Sequence, residues 1–78
     1  MPCFYFHLRE GNHLIEDSDG SELPNLEAAR AKAVAATREA IAEQLRTGQA
    51  VGDRCFEIAD EGGRVLTTVT LRDAVWLH

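Results

Sequence analysis

The order of apolar patterns along the chain is the feature that most constrains its fold. Two runs near the start alternate apolar and polar residues, a long Ala-rich segment then repeats apolar residues at helical spacing, and two further alternating runs follow. Alternation is typical of a strand with one buried face, and helical spacing is typical of an amphipathic helix. The order therefore predicts a single α+β domain over residues 1–78 with the arrangement ββαββ.

The first two alternating runs predict a β-hairpin. Residues 3–9 place Phe and Leu side chains on one face of a strand, while Tyr5 and His7 lie on the other. A Gly-Asn pair follows, and both residues accept positive φ at low cost, which favours a tight turn. The return strand is expected over residues 13–17, and the alternation leaves open which of its side chains face the core.

The Ala-rich segment predicts one long helix over residues 26–47. Ala has the strongest helix propensity, and neither Pro nor Gly interrupts the segment. Asn25 is a suitable N-cap, because its side chain can accept a free backbone N–H, and Gly48 is a suitable C-cap. The many small residues in the apolar stripe indicate a close approach of this helix to the sheet.

The last two alternating runs predict a second hairpin, with strands over residues 54–59 and 64–71. Val65 and Val69 are expected on the same face of the final strand. The chain after Thr70 either extends this strand or forms a helical turn capped by that threonine, and the sequence alone leaves both open.

A four-stranded antiparallel sheet with one long helix packed on one face is the fold that this order favours. One helix cannot cover both faces, so the face with Tyr5 and His7 is left to solvent or to a partner. A chain of 78 residues builds a marginal core, and we expect a homodimer through the open face, a sheet edge or the apolar C-terminus. Trp76 and Leu77 are the candidate anchors at that terminus, where they either contact a partner or fold back on the core.

Composition and charge argue against several classes of function. The net charge is −5 and the basic residues form no stripe, which disfavours nucleic-acid binding. No apolar run approaches the length of a membrane span, and the first residues lack the pattern of a secretion signal. The two cysteines have no CxxC spacing, so we expect reduced thiols and a cytoplasmic location.

Three small groups of residues could carry chemistry, and a purely structural role is favoured for each. His7 and His13 flank the first turn, but the sequence supplies no second carboxylate or oxyanion donors for acid–base catalysis. The acidic segment 17–22 departs from the spacing of a calcium loop and is typical of a solvated turn. Cys3 and Cys55 fall on outward positions of strands that could be neighbours, which leaves a disulfide or a metal pair open, but two cysteines without CxxC spacing favour ordinary reduced thiols over a zinc site. We expect no catalytic residue, metal or cofactor.

Arg30 lies inside the apolar stripe of the predicted helix, in line with Thr37 and Gln44 at heptad spacing. Polar groups at these positions would line a groove between helix and sheet or bind an anion. In the structural alternative, Arg30 buries its aliphatic stem and pairs its guanidinium with a carboxylate such as Glu22.

Motifs in three stretches carry a resemblance to a known family. The stretches are Met1-Pro2-x-Phe4-Tyr5-Phe6-His7-Leu8-Arg9, Asp17-x-x-Gly20-x-Glu22-Leu23-Pro24-x-Leu26-Glu27-Ala28-Ala29-Arg30 and Phe56-Glu57-Ile58-x-Asp60-Glu61-x-Gly63-Arg64-Val65-Leu66. Together they resemble a family of small uncharacterised alphaproteobacterial proteins of about eighty residues, a domain of unknown function. The resemblance implies a soluble bacterial domain and carries over no catalytic residue.

The sequence thus predicts a small non-enzymatic protein-interaction module that self-associates, with Tyr5, His7, Trp76 and Leu77 in its interface. The alternative is a small-molecule or anion-binding regulatory domain that uses a helix–sheet groove around Arg30. Mutations separate the two hypotheses. A charged residue at Trp76 or Tyr5 would disrupt association, whereas loss of Arg30 would abolish a ligand-induced rise in melting temperature.

Overall fold

The elements of the fold follow the predicted order, with two short additions. The computed structural model describes residues 1–48 and 54–76. The element bounds are β1 Cys3–Glu10, β2 His13–Ile15, β3 Ser21–Glu22, α1 Leu26–Arg46, β4 Arg54–Ala59, β5 Val65–Thr70 and α2 Leu71–Trp76. The α+β class with one long helix is confirmed, and β3 and α2 are the additions.

The main strands form an antiparallel sheet in the order β2-β1-β4-β5. The first strand of each hairpin is therefore central, and β1 pairs with β4 from Tyr5 opposite Ala59 to Glu10 opposite Arg54. This adjacency joins the two ends of the chain into one sheet, and the helix between them crosses over it.

The predicted return strand 13–17 is shorter than expected. β2 ends at Ile15, and the chain pairs with β1 again only at β3, where Ser21 lies opposite Phe4. The intervening segment 16–20 leaves the regular ladder, and the side chain of Asp17 accepts the N–H of Phe6 at 3.1 Å. A carboxylate thus takes the place of a backbone acceptor between the two short strands.

Local capping fixes both ends of α1. The Asn25 side chain accepts the N–H of Ala28 at 2.8 Å, which confirms the predicted N-cap. Thr47 is the C-cap, and Gly48 follows with φ of +79°, a conformation that glycine adopts without steric cost. The helix therefore ends one residue before the predicted end, and Thr47 rather than Gly48 is its C-cap.

The core lies between α1, α2 and one face of the sheet. Small alanines on α1 are fully buried, which confirms the close approach of helix and sheet. The buried apolar cluster consists of Phe4, Ala29, Ala33, Val34, Ile58, Val69 and Ala74, with Phe6, Leu23 and Phe56 packed against it.

A β-bulge at Leu66 corrects one prediction about β5. The register between β4 and β5 shifts there, so that Val65 pairs with Ala59, which in turn pairs with Tyr5. Paired residues share a face, so Val65 lies on the face of Tyr5, opposite to the fully buried Val69. The expectation that Val65 and Val69 share a face is wrong, because one inserted residue inverts the alternation.

The end of the described chain is helical, so the second of the two alternatives holds. Thr70 and Asp73 form a reciprocal cap in which the Thr70 hydroxyl accepts the Asp73 N–H and the Asp73 carboxylate accepts the Thr70 N–H. α2 packs on α1, and Arg38 Nε donates to the carbonyl of Ala74 at 2.8 Å. Leu77 and the side chain of Trp76 lie outside the described residues.

Candidate functional site

Helices cover one face of the sheet, and the other is exposed within the described residues. This open face, as we name it, consists of Tyr5, His7, Leu14, Glu57 and Val65 with the residues around them. It contains a shallow depression of about 350 Å³. Its lining divides into an aromatic and aliphatic floor and an acidic rim, and each part has a separate structural origin.

Tyr5 and His7 form the aromatic part of the floor. They lie two residues apart on β1, so their side chains project from the same face. Their rings stack with centroids 6.4 Å apart and planes inclined by 23°. The neighbouring Cys3 thiol raises the pKa of the Tyr5 hydroxyl above its ordinary value through a side-chain hydrogen bond and its charge. The structure thus brings together the two sequence-predicted interface residues of β1.

The Asp17 carboxylate holds segment 16–20 against β1. It accepts the N–H groups of Phe6 at 3.1 Å, Asp19 at 3.1 Å and Gly20 at 3.3 Å. Partial burial alone would raise the pKa of Asp17, but these three hydrogen bonds and the nearby His7 outweigh it and lower the pKa. The predicted solvated turn is therefore an Asx turn whose carboxylate also reaches a central strand.

Asp17 also positions the His7 ring, through its backbone. The backbone N–H of Asp17 donates to His7 Nδ1 at 3.0 Å. That bond requires an unprotonated Nδ1, so a neutral His7 carries its proton on Nε2. The stacked pair is therefore fixed on one side by backbone rather than left free to rotate. Sequence reasoning did not foresee this role, since the contact joins His7 on β1 to a residue of segment 16–20, which lies outside the strands.

Gly20 provides a second, steric constraint on the floor. Its φ is +72°, and a Cβ there would lie 2.6 Å from Cys3 Sγ and 2.9 Å from Tyr5 Cε2. The backbone of Gly20 thus packs directly against the residues that carry the floor. In the sequence, this glycine is recognisable only as a turn residue.

Four carboxylates form the rim of the depression, contributed by Glu16, Glu57, Asp60 and Glu61. Arg9 Nε lies 2.5 Å from Glu57 Oε2, so that carboxylate is neutralised. Asp60 accepts the N–H groups of Gly62 and Arg64 at 2.9 Å and fixes the β4–β5 turn. Within the described residues, Glu16 and Glu61 have no ion pair. The rim therefore carries excess negative charge.

Arg30 lies apart from the helix–sheet groove predicted to surround it. A groove of about 70 Å³ does exist, and both Thr37 and Gln44 line it from α1. Arg30 instead lies near Asp73, whose pKa is lowered first by the Thr70 N–H and further by the charge of Arg30. The described residues contain no ion pair between Arg30 and Glu22, the carboxylate named above as an example.

The structure separates the remaining sequence candidates. His13 lies opposite Glu10 and His7 opposite Glu57, which places the two histidines on opposite faces of the sheet. Cys55 pairs with Arg9, so Cys3 lies six residues away along β1, roughly 20 Å at the rise of a strand. Both cysteines are free thiols, and the distance excludes a disulfide between them. In the described parts of the chain, no three potential metal ligands cluster.

These features define a small single-domain α+β protein with helices on one face of an antiparallel sheet. The chain belongs to the family described as domain of unknown function DUF6894, whose model matches residues 3–72. This match confirms the resemblance to a domain of unknown function, and the alphaproteobacterial origin stays a prediction. No curated protein and no solved structure matches the chain. Among residues 1–48 and 54–76, no helix is both long and apolar enough to cross a membrane.

Proposed function

We propose that this protein is a small non-enzymatic interaction module that binds a basic segment of a partner protein on its open face. The observation that carries the proposal is the depression of about 350 Å³, with its aromatic and aliphatic floor and its acidic rim. An apolar floor with an acidic rim is complementary to a chain segment rich in Lys or Arg, because the aliphatic stem of each such side chain ends in a positive charge.

The floor offers apolar contact to such a segment. Leu14 is 39% exposed and Val65 is 48% exposed, and both line the depression beside the Tyr5–His7 pair. Lys and Arg side chains cover apolar surface with their methylene stems while their charged ends stay hydrated. The Tyr5 ring adds a face that a guanidinium can stack on.

The rim selects the sign of the partner. Glu16 and Glu61 are uncompensated within the described residues, and the whole chain carries a net charge of −5. A basic segment is attracted to this surface, whereas a phosphate-bearing ligand is repelled. The charge therefore favours a basic protein segment over nucleic acid.

Rigidity of the surface supports a binding role. The Asp17 carboxylate and the Asp60 carboxylate each fix a turn beside the depression through backbone N–H groups. A surface already ordered before binding loses less conformational entropy when the partner arrives.

The proposal includes a cytoplasmic location and self-association. Two separate free thiols suit a reducing compartment.

The non-enzymatic part of the proposal is supported by His7, whose Nδ1 already accepts the backbone N–H of Asp17. Anion binding at Arg30 has less support, because Asp73 lies near its charge.

A peptide titration followed by backbone NMR tests the proposal. Hexa-arginine amide, added at about 50 mM NaCl, should shift the amides of Tyr5, His7, Gly63 and Val65. Binding should weaken about tenfold at about 500 mM NaCl, and hexaglutamate should produce no shifts. Shifts confined to α1, or no shifts, would contradict the proposal.

A matched pair of charge reversals distinguishes the open face from general attraction. Glu61→Lys changes the rim, and Glu39→Lys makes the same change on an exposed position of α1. We expect Glu61→Lys to weaken hexa-arginine binding about fivefold more than Glu39→Lys does. Equal weakening would mean that net charge alone attracts the peptide, and the assigned surface would be wrong.

A further inference from the structure

β5 is the last strand of the sheet, and its outer edge pairs with no strand in the described residues. Its sequence, Val-Leu-Thr-Thr-Val-Thr, contains neither a charged residue nor a proline. Natural edge strands usually carry such residues, because an unpaired row of N–H and C=O groups invites pairing with another chain. The bulge at Leu66 disturbs the start of this edge, since bulges also blunt edge strands, so the regular stretch over residues 67–70 is the part open to pairing.

The opposite side of the sheet differs from β5, because its outermost strands are very short. The outer edge of β1 is covered by β2 at one end and by β3 at the other. Between them, the Asp17 carboxylate accepts the N–H of Phe6. That edge thus consists of two short strands separated by an irregular segment, whereas β5 is an edge strand of six residues.

We infer that the β5 edge is the self-association surface of this protein, and that its occupant is β5 of a second copy. An antiparallel pair of identical strands satisfies both edges at once through a two-fold axis, so association stops at a dimer. Because β5 is uncharged, two chains of net charge −5 can approach there. A contact between two open faces would instead bring their acidic rims together. The inference deepens the self-association within the proposed function.

The hydrogen-bond pattern indicates the register. The Asp73 carboxylate accepts the N–H of Thr70 at 3.0 Å, and the N–H of Thr68, two residues earlier, points to the same side of the strand. We place the two-fold axis midway between the Thr68 residues of the two copies. The N–H and C=O of each Thr68 can then bond reciprocally with those of the other. Val65 and Leu66, which are 48% and 37% exposed, then lie near the ends of the interface.

This arrangement has a consequence for partner binding. A two-fold axis perpendicular to a continuous sheet keeps corresponding faces on the same side. Each dimer would therefore present two depressions side by side, and a partner with two basic segments would gain affinity by avidity.

Light scattering behind a sizing column, across a wide concentration range, tests the inference. The wild-type chain should form a dimer that dissociates on dilution. Thr68→Lys places two positive charges opposite each other at the axis, and we expect it to raise the dimer dissociation constant more than tenfold. A wild-type monomer at all concentrations, or a dimer unaffected by Thr68→Lys, would overturn the inference.

Mixing two variants of opposite charge at position 68 distinguishes a lost interface from a failure to fold. Thr68→Lys and Thr68→Glu should each be monomeric, while an equimolar mixture should regain a heterodimer. Failure of the mixture to associate would refute the Thr68 register. Glu61→Lys serves as the control, since it should reduce hexa-arginine binding and leave the dimer intact. Loss of the dimer in Glu61→Lys would place self-association on the open face and overturn the edge assignment, independently of the peptide result.

Discussion

The Asp17 carboxylate offers the most direct test of how the open face is held. In Asp17→Asn, one oxygen becomes an amide that donates, so either the Phe6 bond or the pair of bonds to Asp19 and Gly20 is lost. Hydrogen bonds to charged groups contribute about 1.5–3 kcal/mol each, against about 1 kcal/mol for neutral ones. Because Asp17 is only partly buried, solvent screening reduces the sum, and we expect a loss of about 2 kcal/mol of stability.

The pH dependence of that loss follows from the lowered pKa of Asp17. Its ordinary value is 3.8, and the folded protein holds it lower. The ionised carboxylate therefore stabilises the fold above the unfolded-state pKa, and the contribution disappears as pH falls through the folded-state pKa. The stability difference between wild type and Asp17→Asn should accordingly be full at pH about 7 and shrink below pH about 4.

Urea denaturation followed by far-UV circular dichroism measures both quantities. Asp19→Asn is the matched control, because Asp19 is exposed in the same turn, and we expect it to change stability by less than about 0.5 kcal/mol. The reasoning is refuted if Asp17→Asn is as stable as Asp19→Asn at neutral pH. It is equally refuted if the Asp17→Asn deficit is unchanged in acid.

Two further substitutions test the packing and capping that surround the sheet. Gly20→Ala should destabilise the fold by about 2 kcal/mol or more, because its φ is +72° and the new Cβ meets Cys3 Sγ. Gly11→Ala is the control, because Gly11 has φ of +58° but open space around it, and it should destabilise the fold by only about 1 kcal/mol. If thermal melts show the same destabilisation for Gly20→Ala and Gly11→Ala, the close contact at Gly20 is refuted. Thr70→Ala removes the hydroxyl that accepts the Asp73 N–H, and urea titration should show a loss of about 1 kcal/mol. An unchanged midpoint would show that α2 does not depend on this cap.

Local sequence patterns predict the elements whose structure depends on neighbours along the chain. The helix over 26–47 follows from its spacing, its Ala content and the Asn25 cap, each of which acts within a few residues. The alternation of β1 likewise places Tyr5 and His7 together on one face. These predictions succeed because a single pattern of apolar residues, helical in α1 and alternating in β1, holds over the whole element.

The remaining features depend on contacts between distant residues. Asp17 reads as an ordinary turn residue, yet its carboxylate reaches the N–H of Phe6, 11 positions earlier. The bulge at Leu66 has no marker in the sequence, since a strand of β-branched residues is equally compatible with a regular ladder. Arg30 acts electrostatically on Asp73 of α2, a neighbour that only the packing of elements distant in the chain brings near. Tertiary structure, not local pattern, selects among these options.

Edge protection and site geometry meet in the same residue, which explains why this fold is asymmetric. Asp17 closes the gap on the β1 edge through Phe6 and, by its own N–H, sets the ring of His7 on the open face. Segment 16–20 can therefore serve the binding face only by remaining on that edge, where it also blocks strand addition. On this side the outermost strands are the short β2 and β3, whereas the six-residue β5 forms the edge on the far side of the sheet. In the proposed arrangement the partner binds in the depression and the second copy pairs along the β5 edge, and Val65 lies at the boundary between these two surfaces.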